Sequence, residues 1–221
     1  MTFRARVRPM PETDPNAPTV PFVEHPLIDL TADPFALFET WLHDAEKTEP
    51  CDPNAMVLAT ATTEGRPSAR IVLLKGHDRR GFVFYTNMFS RKGRELADNP
   101  CAALLFHWKS LRRQIRIEGN ITPVSDAEAD AYFASRSRIS RLGAIASSQS
   151  RPLADRDIFE KRLKDAEEEF GDGPIPRPEN WSGYRVSPQH FEFWQERPYR
   201  LHDRAIWEHH GNGWDVTRLY P

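Results

Sequence analysis

The chain has 221 residues but only two cysteines, Cys51 and Cys101, and no CxxC pair. That excludes a zinc ribbon, a thioredoxin-type redox site and a disulfide scaffold. No apolar run approaches the roughly 20 residues needed to span a bilayer. The N-terminus, MTFRARVRPMPETDP, carries arginines without the apolar stretch of a secretory signal. There is no excess of either charge: 30 basic against 32 acidic residues give a net charge of −2. General nucleic-acid or anionic-membrane binding normally needs a basic excess, so neither is expected. Walker, GxGxxG, HExxH and GxSxG motifs are all missing. A reducing, cytoplasmic setting and the absence of a metal site follow as expectations. What remains is a chain with 39% hydrophobic and 11% aromatic residues, long enough to bury about 70% of its unfolded surface without staples.

Proline is unevenly spread. Seven of the 19 fall in the first 34 residues, so residues 1–32 read as a Pro-rich leader, mobile or draped over the domain. Residues 33–221 read as a single domain. Asp33-Pro34 starts a helix with Asp at the N-cap and Pro at N1. Phe35, Phe38, Trp41, Leu42 and Ala45 give that helix an apolar stripe. Short β-rich runs follow at 55–62, 68–75 and 82–86, then a short helix over 90–98 and strands over 101–108 and 112–119. Ser125-Asp126-Ala127-Glu128 is a capping-box signature for another helix, and a further helix covers about 155–170. Four closing strands are expected near 183–186, 190–196, 202–209 and 214–219. Neighbouring strands are joined by turns, so the fold class is α+β, an antiparallel barrel with flanking helices.

Three constellations carry chemistry. Arg70 and Lys75 bracket Ile71, Val72, Leu73 and Leu74 in what reads as a buried strand, where bare charge needs a partner. Tyr85, Thr86, Ser90, Arg91 and Lys92 follow, with Ser90 opening a helix whose amides suit a phosphate. The bland alternative for Arg91 and Lys92 is a solvated helix face. Second, Tyr132, Arg136 and Ser140 are spaced by four, which would align them on one face if the helix ran that far; an exposed basic face is the alternative. Third, Trp194 precedes Arg200-Leu201-His202-Asp203-Arg204. In a strand, Arg200, His202 and Arg204 share a face and repel one another unless an anion sits among them. An edge strand charged against aggregation is the alternative.

The strings RIVLLK, FVFYTN, SRKGREL, HWKSLRRQIRIEG, RPENWSGYRVSP, EFWQ and RLHDR occur in this order over about 33–221. Together they closely resemble pyridoxamine (pyridoxine) 5′-phosphate oxidases. The resemblance implies an FMN-binding split β-barrel and a homodimer with FMN at the subunit interface. FMN contacts are implied for Arg70, Ile71, Val72, Leu73, Leu74, Lys75, Tyr85, Thr86, Arg91, Lys92, Gln114, Gln149, Ser150, Trp194 and Arg204. Substrate contacts are implied for Lys75, Tyr132, Arg136 and Ser140 around the phosphate, and for Arg200, Leu201 and His202 by the pyridine ring, with Arg200 and His202 as the catalytic pair. The implied reaction oxidises pyridoxamine or pyridoxine 5′-phosphate at C4′, with O2 as acceptor and H2O2 released. A related oxidase of phenazine biosynthesis and a non-catalytic flavin- or pyridoxal-phosphate-binding barrel are the rivals. Lys75, Tyr132, Arg136 and Ser140 favour a phosphorylated substrate, and the Arg200-x-His202 pair favours catalysis. The chain departs from the family in two places. Its leader has no tyrosine for the Arg-x-x-Tyr element that lids the substrate in some members, leaving Arg4, Arg6 or Arg8 for that role. Ile145 also stands where many members carry an aromatic.

Overall fold

A computed structural model describes residues 25–221; the lid candidates Arg4, Arg6 and Arg8 lie outside them. Helix α1 (Pro34–Thr48) starts as its sequence dictates. The Asp33 carboxylate accepts from the Phe35 and Ala36 amides at 3.1 Å. Its apolar stripe buries Phe38, Trp41, Leu42 and Ala45. Phe38 meets Phe82 at 4.8 Å and Phe106 at 5.2 Å between ring centroids, so this one side chain ties the helix to the barrel interior. Truncating such a buried phenylalanine typically costs about 3–5 kcal/mol.

Strands β1 (Ala55–Ala61), β2 (Pro67–Leu73), β3 (Gly76–Asp78) and β4 (Gly81–Asn87) precede helix α2 (Arg91–Asp98). Strands β5 (Cys101–Trp108) and β6 (Arg113–Pro123) follow. Next come α3 (Asp126–Ser135), α4 (Arg138–Ala146) and α5 (Arg156–Phe170). The chain closes with β7 (Trp181–Gln195), β8 (Asp203–His210) and β9 (Gly213–Leu219). All pairings are antiparallel, in the order β2-β1-β5-β6-β7-β4-β3, with β8 added on β7 and β9 on β8. β2 runs straight into β3, which pairs with β4, and the Lys75 amide donates to the Val83 carbonyl at 2.8 Å. The sheet therefore curls until β2 and β4 face the same space. Alternation along β5 and β6 turns Leu104, Phe106, Ile115 and Ile117 inward. A second, smaller core of Phe133, Leu142, Ala166, Ile175 and Trp181 joins α3, α4 and α5 to the start of β7.

Several expectations need correction. The strands expected near 183–186 and 190–196 are one strand, β7. Ser187-Pro188 is carried through a register shift opposite Glu118 and Gly119, and a Cβ on Gly119 would stand 2.1 Å from the Ser187 carbonyl oxygen. Proline in mid-run looked like a break, but a bulge admits it. The strand bearing Arg70 is not buried: β2 lies at the sheet edge and Ile71 is 64% exposed. Residues 25–32, placed in the leader, are held down. The Ile28 amide donates to Asp203 at 2.7 Å, Arg218 donates to the Ile28 carbonyl at 2.8 Å, and Gln195 donates to the Pro26 carbonyl at 2.9 Å.

Candidate active site

A cleft of about 620 Å³ opens where β2 and β4 face α2, α3 and α4. Arg70, Ile71, Val72, Leu73 and Lys75 line it from β2 and its exit. Tyr85 and Thr86 line it from β4, Lys92 from α2, and Tyr132, Arg136, Ser140 and Gln149 from α3, α4 and the loop beyond. Two of the sequence constellations therefore converge on one cavity, although they lie far apart in the chain.

They converge by a different route from the one expected. Tyr132, Arg136 and Ser140 do not share a helix face, because α3 stops at Ser135 and Arg136 is extended (φ −72°, ψ 150°). Ser137 then caps a new helix, its hydroxyl accepting from the Ser140 amide at 3.4 Å and lying 2.8 Å from the Ser140 hydroxyl. Serine competes with the backbone for local hydrogen bonds and so favours caps over helix interiors. The break turns Arg136 into the cleft. One wall there is a stack of flat rings: Tyr85 on Tyr132 at 4.0 Å and on Trp181 at 5.3 Å. Gly183 makes room for it, since a Cβ there would press on the Tyr85 ring at 2.7 Å. The Arg136 guanidinium lies 4.9 Å from the Trp181 ring centroid.

The charges of the cleft fall into two kinds. Arg70 is tied down: it donates to the Leu58 carbonyl (3.1 Å), Thr60 (2.6 Å), Ser68 (2.5 Å) and the Glu95 carboxylate (3.3 Å). Its partner, missing from the sequence argument, is therefore Glu95. Arg91 points the same way, donating to Glu95 at 2.8 Å, which keeps its guanidinium out of the cleft lining. Among the described residues Lys92 has only neutral partners, Gln149 at 2.8 Å, Thr86 at 3.2 Å and Ser90 at 3.4 Å. Burial, with the charge of Arg70 second, pushes its ammonium below the usual lysine range. Arg136 has a buried Nη1 without a hydrogen-bond partner, and burial lowers its pKa too. Cations desolvated without a counter-charge are costly, so each of these is a place prepared for an anion. The cleft therefore sets basic and hydroxyl donors beside a wall of aromatic rings: Lys92, Thr86 and Gln149, and Arg136, Lys75 and Ser140.

The remaining residues lie elsewhere. Leu74 is in the core at 5% exposure. Ser150 lines a neighbouring hollow between α4 and α5. Gln114, Trp194 and Arg204 form one cross-strand row over β6, β7 and β8. Arg204 donates to Glu192 at 2.7 and 2.8 Å, and Arg116 holds the other oxygen of Glu192 at 2.6 Å. His202 packs on Trp194 at 4.6 Å. The expectation that Arg200, His202 and Arg204 share a strand face is wrong. β8 begins only at Asp203, and Tyr199 and Arg200 take left-handed backbone (φ 57° and 62°) in a 3-10 turn. Trp181 lines the cleft at one end of β7 and Trp194 sits near the other, roughly 40 Å along an extended strand at about 3.3 Å per residue. One copy of the chain holds these two patches apart. Sequence reasoning missed Glu95, Glu192 and Trp181; the Arg91-Glu95 spacing of four on a predicted helix was the available signal for the first.

A sequence model of the pyridoxamine 5′-phosphate oxidase family matches residues 42–169. A model of the pyridoxine 5′-phosphate oxidase C-terminal dimerisation region matches residues 181–221. A pyridoxine/pyridoxamine 5′-phosphate oxidase of Gluconobacter oxydans is 74% identical over 89% of this chain and 98% of its own. One of Sphingopyxis alaskensis is 59% identical over 87% and 89%. Among solved structures, PhzG from Burkholderia lata, in complex with tetrahydrophenazine-1-carboxylic acid, superposes with a TM-score of 0.81 at 36% identity, covering 86% of this chain and 93% of that one. A pyridoxamine 5′-phosphate oxidase-related, FMN-binding protein of Nostoc punctiforme shares the fold, with a TM-score of 0.68 at 19% identity over 87% of this chain. The second of the two matched regions begins at Trp181 and holds the residues from Trp194 to Arg204. By sequence along nearly its whole described length, and by a curled antiparallel barrel shared with the solved relatives, the chain belongs to the pyridoxamine 5′-phosphate oxidase family.

Proposed function

We propose that this protein is an FMN-dependent oxidase that converts pyridoxamine or pyridoxine 5′-phosphate to pyridoxal 5′-phosphate, with O2 as acceptor and H2O2 as by-product, and that it works as a homodimer. The observation that carries the reading is a pair of desolvated cations, Lys92 and Arg136, without carboxylate partners among the described residues, in one cleft walled by stacked aromatic rings. A non-phosphorylated substrate would leave Arg136 without a counter-ion. Free, exposed Cys51 and Cys101 suit a reducing cytoplasm, and no helix of the described residues is long and apolar enough to cross a membrane.

Bound FMN supplies the redox chemistry, taking reducing equivalents from C4′ of the substrate and passing them to O2. The chain's own part is binding and orientation. Lys92, Thr86 and Gln149 hold the cofactor phosphate, with Arg70 at the cleft wall. Arg136, Lys75, Tyr132 and Ser140 hold the substrate phosphate and thereby fix its ring. Gln114, Trp194 and Arg204 of one copy complete the flavin site in the other. Arg200 and His202, from the turn before β8, reach the substrate ring, where the guanidinium offers a fixed charge and the imidazole can hold or move a proton at the ring and C4′ substituents.

An absorption spectrum of the purified protein should show bound flavin, and anaerobic addition of pyridoxine 5′-phosphate should bleach it. Bound flavin that pyridoxine 5′-phosphate and pyridoxamine 5′-phosphate both leave oxidised would refute the assigned substrate and favour the phenazine-type or non-catalytic alternatives.

A further inference from the structure

Glu95 lies on the inner face of α2 and is 6% exposed. Its two oxygens collect donors from three elements. Thr60 of β1 donates at 2.5 Å, Ser68 and Arg70 of β2 at 2.6 and 3.3 Å, and Arg91 of α2 itself at 2.8 Å. Burial pushes this carboxyl up, but the hydrogen bonds from Ser68, Thr60 and Arg91, with the charge of Arg91, outweigh it and hold the pKa at about 2. The group is thus an anion at every physiological pH. Of its hydrogen-bond partners among the described residues, only Arg70 lines the cleft.

The first turn of α2, one turn before Glu95, carries the cofactor-facing group. Ser90 caps the helix, its hydroxyl accepting from the Gly93 amide at 3.3 Å, and Lys92 projects to Thr86 and Gln149. Gly93 seats this turn against the backbone before it, since a Cβ there would stand 2.1 Å from the Met88 carbonyl oxygen. The helix is only eight residues long, too short to hold its direction unaided. Asn99 at its C-cap donates to the Ala61 carbonyl at 3.3 Å and Tyr184 to the Gly93 carbonyl at 3.4 Å, but the short, charge-assisted ties to β1 and β2 run through Glu95.

We propose that Glu95 is a positioning residue for the cofactor phosphate, holding Arg70 and the first turn of α2 in the geometry in which Lys92 and Thr86 receive that phosphate. The inference rests on the FMN reading given above. Two effects of removing its charge oppose each other. A neutral side chain leaves the cleft more positive, which by Coulomb attraction alone would tighten an anion. It also breaks charge-assisted hydrogen bonds, since the amide nitrogen of a glutamine cannot accept from either Arg91 or the Thr60–Ser68–Arg70 group. Positioning is the larger effect here, because the ties lost are short, buried and convergent, whereas the Coulomb gain acts across the solvent-open cleft.

The test compares FMN with riboflavin, which lacks the phosphate, binding to flavin-free protein by fluorescence quenching, for wild type, Glu95→Gln and Glu95→Asp. Wild type should prefer FMN. Glu95→Gln should weaken FMN about tenfold or more, the worth of one lost charge-assisted bond, and leave riboflavin within about twofold; Glu95→Asp should recover part of the loss. Unchanged or tighter FMN binding by Glu95→Gln would overturn the proposal in favour of charge compensation alone. A parallel loss of FMN and riboflavin would overturn it in favour of general structural support. If Glu95→Gln does not fold, the Glu95→Asp comparison of the two flavins decides by the same criterion. A wild type that does not distinguish the two flavins would instead overturn the phosphate-cradle reading on which the inference stands.

Discussion

The cleft and the β6–β8 face are both rich in arginine, yet they treat their charges differently. On the β6–β8 face Arg204 and Arg116 share buried Glu192, and on the other side of β8 Arg218 of β9 is held by buried Asp203. In the cleft wall Glu95 does the same for Arg70 and Arg91. Lys92 and Arg136 have no such carboxylate. A buried acid marks a cation that is structural or oriented from behind, and its absence marks a cation kept for a ligand. Arg200 belongs to the face by sequence but, like the cleft cations, has no carboxylate partner among the described residues; unlike them it is exposed, on left-handed backbone. Strain of that kind persists where surrounding structure demands it and is common at ligand clamps.

The comparison is broken most severely at Arg136. Arg136→Ala should lower kcat/KM for pyridoxine 5′-phosphate by about a hundredfold through KM, equivalent to roughly two charge-assisted bonds at the low end of their range. Its flavin content should stay at the wild-type level. Lost flavin with unchanged KM would mean that the two phosphate stations are exchanged. Next, Lys92→Ala and Arg204→Ala should both weaken FMN retention, each by about 1.5–3 kcal/mol. Dialysis followed by a flavin assay measures this. Full occupancy in the Arg204 variant alone would confine the flavin to the cleft of a single copy.

A smaller and more selective effect separates the two residues of the turn before β8. Arg200→Leu should lower the rate by a constant factor at all pH values, because a guanidinium stays charged. His202→Asn should also change the shape of the pH–rate profile, because imidazole is the side chain that ordinarily titrates near neutrality. A wild-type profile in His202→Asn would leave that residue as packing for Trp194. The smallest effect is on acid stability. Glu95 has a folded pKa of about 2 against an ordinary 4.5. The stability it lends is present above pH 4.5 and is lost as pH falls from there towards 2. Glu95→Gln should therefore show a shallower fall of Tm with pH between about 4.5 and 2 than wild type. A parallel fall in the two proteins would mean that Glu95 is no better paired when folded than when unfolded.

Much of the barrel was legible because its signals are local. The Asp33-Pro34 start, the Ser125–Glu128 capping box and the alternation of β5 and β6 each rest on neighbouring residues. Long-range facts were not legible. Nothing adjacent to Arg70 in sequence indicates that its partner is Glu95, 25 residues on. Arg70 and Lys75 flank an apolar run that reads as buried, and only the strand order reveals an edge. The helix break at Ser135–Ser137 was written in its two serines but was masked by the attractive spacing of Tyr132, Arg136 and Ser140. Pro188 suggested the end of a strand because a bulge depends on the partner strand, here at Gly119. The Arg200–His202 pair stood out by composition, but its backbone strain depends on how the turn meets β8.

The central claim is that one active site needs the cleft of one copy and the β6–β8 face of another. Arg136→Ala and His202→Asn impair opposite halves, so each homodimer of either variant has two damaged sites. When the variants are unfolded together and reassembled, half the dimers are mixed, and each mixed dimer has one site with both halves intact. The account predicts that activity rises above the average of the two variants, by up to about a quarter of wild type at substrate levels where each alone is weak. Activity no greater than the average of the two variants, in a sample shown to contain mixed dimers, would contradict it and place both halves of the site in a single chain.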